Sequence, residues 1–254
     1  MRISVLGFAF VALAACGGDD GGGSGDGDGG TAGDGGTGSD GGGSGDGPSE
    51  QCGDLIATVR DFRADHPDFE HALGDDRGLV ETALGADRKP VYAPSGPTAT
   101  VSGQASFDQW YRDVPGVNMT FAVPLTLTEV SPGRYVFEDL AFFPLDGMGW
   151  PGEEVAGHNF HFTTELHGTF RYQGGQQFTF TGDDDVWVFV NGRLALDLGG
   201  VHGVETATID FDAQAAALGI AVGNVYRLDV FHAERHTTAS NFRIETSIDC
   251  LVIP

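Results

Sequence analysis

The dipeptide Asn191-Gly192 stands between Val186-Trp187-Val188-Phe189-Val190 and Leu194-Ala195-Leu196-Asp197-Leu198. A two-residue type I′ turn needs positive φ at both positions, which Asn and Gly tolerate, so this segment is predicted to be a tight β-hairpin. Its leading strand is apolar at every position. A strand with two apolar faces needs cover on both sides and is expected to lie centrally in a two-layer structure.

The rest of the chain from Met119 onward repeats that pattern. Short β-rich runs cover Met119 to Leu127, Arg134 to Phe143, Phe160 to Tyr172, Gln177 to Phe180, Thr206 to Phe211, Tyr226 to His232 and Asn241 to Ile248. Gly, Pro, Asp or Asn separates them at the spacing of a sandwich. Weak helical candidates lie earlier, in Asp54 to Phe69, Arg77 to Leu84 and Phe107 to Tyr111, and Ala213 to Leu218 fits one helical turn on a crossover. The expected fold is all-β: an antiparallel β-sandwich or barrel, with a few short helices in its N-terminal part.

Residues 1–16 read as an export signal, with Arg2 ahead of a short apolar run from Ile3 to Ala14. That run is too short to span a bilayer as a helix. Leu13-Ala14-Ala15-Cys16 resembles the lipobox of bacterial lipoproteins, which implies cleavage before Cys16 and lipidation of it. Residues 17–50 are mostly Gly and Asp with no large apolar side chain, so they cannot bury enough surface to fold. They are expected to form a disordered, self-repelling tether with a reach of roughly 30 Å. A calcium-binding β-roll would need an apolar residue in each repeat, and there is none.

Residues 51–254 then form one domain. The chain has 37 Asp and Glu against 13 Lys and Arg, a net charge of -24. That balance argues against nucleic acid and anionic membrane surfaces as partners, while divalent cations and neutral glycans remain compatible. With Cys16 assigned to lipid, Cys52 and Cys250 most simply form one disulfide in an exported chain, against free or intermolecular thiols.

Chemistry concentrates in Gly182-Asp183-Asp184-Asp185, a turn ahead of the doubly apolar strand. Adjacent carboxylates repel unless water or a cation screens them. A solvated turn accounts for one Asp; a hard cation such as Ca²⁺, which takes carboxylate oxygens, would account for more. Both readings stand on these residues alone.

The run Phe178-Thr179-Phe180-Thr181-Gly182-Asp183-Asp184-Asp185-Val186-Trp187-Val188-Phe189-Val190-Asn191-Gly192-Arg193-Leu194, followed by Asp197-Leu198-Gly199-Gly200-Val201-His202, resembles the core motif of fibro-slime domains. These are related to the protective-antigen (PA14) lectin-like β-barrel. Val59-Arg60-Asp61-Phe62, His66-Pro67-Asp68-Phe69-Glu70, Lys89-Pro90-Val91-Tyr92, Phe107-Asp108-Gln109-Trp110-Tyr111, Phe143-Pro144-Leu145-Asp146-Gly147 and His158-Asn159-Phe160-His161-Phe162 fit the same family. In its sugar-binding relatives two adjacent aspartates, joined by a cis peptide, bind calcium that bridges to sugar hydroxyls. The resemblance places that pair on Asp183 and Asp184; Asp185 stands where many relatives have Gly, which leaves room for a register one residue on and makes Asp185 a third candidate calcium ligand. It places the second calcium loop at Glu234 to Ser240, with Asn241 as the matching asparagine ligand and Glu234 and His236 as weaker candidates.

The histidine pairs His158/His161 and His232/His236 lack the spacing of a zinc helix, so hydrogen-bonded histidines in a β domain are expected. His202 is expected to organise the turn after Leu198, with ligand contact as its alternative role. Trp150, in the loop Asp146 to Gly152, either stacks on a sugar ring or lids the core. Glu153 and Glu154 are adjacent rather than placed across a cleft, as a glycosidase requires. Nothing in the sequence makes a positive case for an enzyme. The leading expectation is a calcium-dependent carbohydrate-binding, adhesin-like lipoprotein, lipid-anchored at the cell surface or outer membrane. The alternative is a structural or protein-interaction lipoprotein with a fold-stabilising calcium site.

Overall fold

Two antiparallel sheets face each other across a core of phenylalanine, valine, leucine and isoleucine side chains. The computed structural model describes residues 55–252, all within the unit Gly47–Pro254. The expected export signal with Cys16, the tether and Cys52 lie outside the described residues.

In chain order the elements are β1 (Leu55–Asp61), β2 (Gly74–Asp75), α1 (Gln104–Phe107), β3 (Met119–Leu125), β4 (Thr128–Ser131), β5 (Arg134–Asp139), β6 (Phe162–Arg171), β7 (Gln177–Gly182), β8 (Asp185–Val190), β9 (Arg193–Leu198), β10 (Gly200–Val201), β11 (Glu205–Asp210), α2 (Phe211–Leu218), β12 (Val225–Glu234) and β13 (Phe242–Thr246). One sheet has six strands in the order β3-β1-β6-β12-β8-β9, the other five in the order β11-β7-β13-β5-β4. A short pair joins β10 to β2.

The β8–β9 hairpin forms as its sequence predicts. Asn191 and Gly192 have φ of 52° and 72°, and Val190 pairs with Arg193 across the turn. Along β8, Val186, Val188 and Val190 enter the inter-sheet core, while Trp187 and Phe189 join a second cluster with Phe107, Trp110, Tyr111 and Phe231. The strand therefore lies next to the sheet edge rather than at its centre. Its outer face is covered by the largely irregular segment 79–111, which makes a third layer over the six-stranded sheet.

Two helical expectations fail. Leu55–Asp61 is a strand whose Leu55, Ala57 and Val59 point into the core with period two; the extra apolar residues Ile56 and Phe62 imitate a helical stripe. Arg77 to Leu84 is irregular, tied by isolated bridges from Val80 to Tyr92 and from Ala83 to Arg193. The third candidate contributes only its first residue to α1, which ends in turns over 108–111. The crossover helix is present as α2, capped by the Asp210 side chain accepting from Ala213 N–H and closed by Gly219 in the left-handed region. The described helices are thus α1 and α2, one of them far along the chain.

Candidate cation and ligand site

The Asp turn sits where β7 hands over to β8, at one end of both sheets. Gly182 pairs with Glu205 on one side and Phe242 on the other. A Cβ there would collide with the carbonyl oxygen of Asn241, so only glycine lets the β12–β13 loop come this close. Those approaches bury all three aspartates: Asp183 and Asp184 are 4% exposed and Asp185 0%.

Each carboxylate has a different role. Asp183 accepts from Asn241 twice, from the backbone N–H at 2.5 Å and the side-chain Nδ2 at 2.9 Å. Asp184 accepts from the backbone N–H groups of His202 at 3.1 Å and Arg235 at 2.9 Å. Asp185 turns away from the cavity. It accepts from Gly200 N–H at 2.6 Å and pairs with the Arg235 guanidinium at 2.6 Å. The third aspartate, expected as a ligand, is instead the counter-ion of a buried arginine.

Glu234, at the end of β12, is fully buried, and among the described residues neither carboxylate oxygen receives a well-formed hydrogen bond, although the His236 N–H and the Ser240 hydroxyl lie nearby. The nearby Ser240 hydroxyl donates to Phe142 O instead. Burial, then the charges of Asp184 and Asp183, pushes the Glu234 carboxyl well above its ordinary range. Burial and the charge of Asp185 raise Asp184 to about 7. A buried carboxylate without well-formed hydrogen bonds is costly. A hard cation would meet that need, because it takes several oxygen ligands and offsets like charges.

Among the described residues, no group of three or more His, Cys, Asp or Glu side chains is already gathered to hold a metal ion. The donor chemistry nevertheless fits calcium: Asp183, Asp184 and Glu234 supply oxygens beside Asn241, and none of these carboxylates pairs with a described Lys or Arg. All described peptide bonds are trans, including Asp183–Asp184, where the resemblance implies a cis bond.

Asp183, Asp184, His202 and His236 line a cavity of 280 Å³, walled on one side by Thr237, Thr238 and Ala239. The His202 ring nitrogens lie 2.8 Å from Gly203 O and 3.1 Å from Leu198 O, so the imidazole organises its turn while facing the cavity. His236 faces Glu70, whose carboxylate also accepts from His161 Nε2 at 2.9 Å and Thr237 N–H at 3.0 Å. Glu70 thereby ties down the loop after β12.

Trp150 does not reach this cavity. Its indole lies beneath the Arg63 guanidinium, 3.6 Å from the ring centroid, and its backbone N–H donates to Asp61 at 2.6 Å. The four histidines considered for zinc do not converge on one site, although two of them share Glu70. His158 pairs with Asp146 at 2.7 Å, His161 and His236 face Glu70, and His232 lies 3.0 Å from Asp183 O. Burial lowers His232 to about 4, which keeps it neutral.

Sequence reasoning missed Arg235 and Glu70. An arginine within the predicted calcium loop of so acidic a chain was an available signal. Glu70 and Thr100, which touch this loop from far upstream, carry none.

A family model described as the PA14 domain matches residues 149–251, a span that includes the Asp turn and the β12–β13 loop. Among curated proteins the chain is similar to psiD of Dictyostelium discoideum, 39% identical over 211 residues, covering 77% of this chain and 41% of psiD. It is also similar to psiR of the same organism, 40% identical over 200 residues, covering 72% of this chain and 20% of psiR. The match thus spans less than half of either relative. Among solved structures, a PA14 sugar-binding domain from an RTX adhesin is 10% identical at a TM-score of 0.32, covering 76% of this chain and 88% of that one. The PA14 domain of the MpAFP antifreeze protein is 11% identical at a TM-score of 0.32, covering 78% and 85%. Both scores fall below 0.5, so the reading below rests on this chain's own side chains.

Proposed function

We propose that this chain is a non-catalytic carbohydrate-binding lipoprotein of the fibro-slime type, acting in adhesion through a calcium ion. Asp183, Asp184 and Asn241 would hold the ion, with Glu234 behind them, and the ion would bridge to vicinal sugar hydroxyls in the 280 Å³ cavity. The observation that carries this reading is Glu234, a fully buried carboxylate with no well-formed hydrogen bond, whose charge is disfavoured by burial and by two neighbouring aspartates. The PA14 match over the same residues supports it. Export, lipidation at Cys16 and display on the outer membrane belong to the same proposal and rest on the N-terminal sequence.

Calorimetric titration of the full chain with calcium, followed by a glycan array with and without chelator, tests it. Saturable binding and calcium-dependent glycan retention are expected, and Asp183→Ala with Asp184→Ala should abolish both. Retention of both by that variant would overturn the assignment. The deep wiring of the turn through Asp185 and Arg235 favours a second reading, a calcium site that only stabilises the fold. In that case chelator lowers Tm and no glycan is retained.

A further inference from the structure

A second cavity, of 390 Å³, lies on the other side of the Thr237–Ala239 ridge and shares those residues with the Asp cavity. Its character is opposite. Leu140, Phe143, Val155 and Phe160 line it, and among the described residues the only ionisable group in its wall is His158. The His158 ring stacks on Phe143 at 4.1 Å and 19°, and Asp146 holds its Nδ1 at 2.7 Å. Leu140 and Val155 are 66% and 45% exposed, and Leu73, which lines the Asp cavity, is 69% exposed. Large apolar side chains left in water at the rims of two adjoining cavities mark a contact surface. Taken together, the two cavities fall in the volume range of ligand pockets, which combine an apolar lining with a few placed polar groups.

We infer that the ligand is an amphipathic glycoside, held by its hydroxyls at Asp183 and Asp184 and by an apolar substituent or aglycone seated over Phe143 and His158. This rests on the carbohydrate reading above and specifies its ligand class. A ligand anchored at the aspartates has only the ridge of Thr237, Thr238 and Ala239 to cross. Among the described residues His158 is the one ionisable group lining the apolar cavity, so the part lying there is an uncharged apolar group with a face for the stacked rings.

The test uses the full chain in millimolar calcium and matched methyl and phenyl glycosides of glucose, galactose and mannose, with affinities from calorimetry. At least one phenyl glycoside should bind roughly tenfold more tightly than its methyl counterpart, the scale of one buried aromatic contact. Leu140→Asp and Val155→Asp alter exposed rim positions. Each should erase most of that difference while leaving the calcium titration and the methyl glycoside affinity unchanged. Equal affinities within every pair, or a difference untouched by both substitutions, overturn the inference and leave the carbohydrate reading intact. Binding of no glycoside, with calcium still bound, overturns both.

Discussion

Arg235 and Asp185 form an ion pair of 2.6 Å in which neither side chain is exposed to solvent. The same guanidinium donates to Asp68 O at 3.1 Å and Thr100 O at 2.7 Å, and lies 4.6 Å from the Trp110 ring centroid. One residue thus joins the Asp turn to the irregular layer covering the six-stranded sheet. The run of three aspartates divides into two roles: Asp183 and Asp184 face the cavity, and Asp185 anchors the structure behind them.

Removing Asp185 would leave the guanidinium buried without a counter-charge. Asp185→Asn is expected to lower the unfolding free energy by about 3–5 kcal/mol, the cost of breaking a buried pair from one side. Urea denaturation followed by tryptophan fluorescence measures it. A loss under about 1 kcal/mol would mean that the pair is not the anchor described.

Asp184 titrates near 7 in the folded protein against an ordinary value of 3.8. Between those values the native state keeps a proton that the unfolded chain has lost. Its contribution to stability is therefore complete below the ordinary value and is lost as pH rises through 7. His232, lowered from 6.5 to about 4, acts in the opposite sense over an overlapping window. Asp184→Asn isolates the first effect. In calcium-free buffer, Tm of the wild type minus that of the variant should fall between pH 5 and pH 8, and calcium should reverse the fall. A flat difference would contradict the raised pKa.

Glu165 lies in the opposite regime. Burial alone would raise it, but hydrogen bonds and charge from His167 and Lys89 outweigh burial and bring it to about 2. Arg60 adds an ion pair of 2.7 Å at a carboxylate only 2% exposed. Its stabilisation is present above the ordinary value of 4.5 and is lost as pH falls toward 2. That shift corresponds to roughly 3 kcal/mol. Glu165→Gln is expected to lower stability at pH 7 and to flatten the acid limb of the unfolding curve. An unchanged acid limb would show that other carboxylates govern it.

Cys250 is disulfide-bonded. Reduction, or Cys250→Ser, is expected to cost about 2–5 kcal/mol and to lower Tm in a non-reducing melt. Peptide mapping of the oxidised chain should identify the partner as Cys52. A bond to a second chain, or an unchanged Tm on reduction, would contradict this.

The strands around Asn191-Gly192 were legible because alternation, turn chemistry and β-branched residues agree there. The nine runs expected as strands all contain one, with ends shifted by a few residues. β1 was not legible, since Ile56 and Phe62 gave it the spacing of a helical face. The double burial of β8 was legible, but its cause was not: the covering layer is irregular chain, which has no periodic signature. At the site, the family resemblance brings Asp183, Asp184 and Asn241 together at one turn and loop. It does not separate Asp185 from them, because the arginine that claims it is 50 residues away.

The segment matched by the PA14 family, residues 149–251, begins after β1, β3, β4 and β5. Yet β1 lies inside the larger sheet, between β3 and β6. Cutting the chain at that boundary would remove the pairing of β1 with residues 162–165 of β6, leaving their backbone groups open to any other chain. Asp68 and Thr100, which receive the Arg235 guanidinium, would be lost as well. The unit that can be inherited or transplanted intact is therefore wider than the stretch that the PA14 model matches. A graft carrying only the Asp turn and the β12–β13 loop would take the carboxylates and leave behind what keeps them apart.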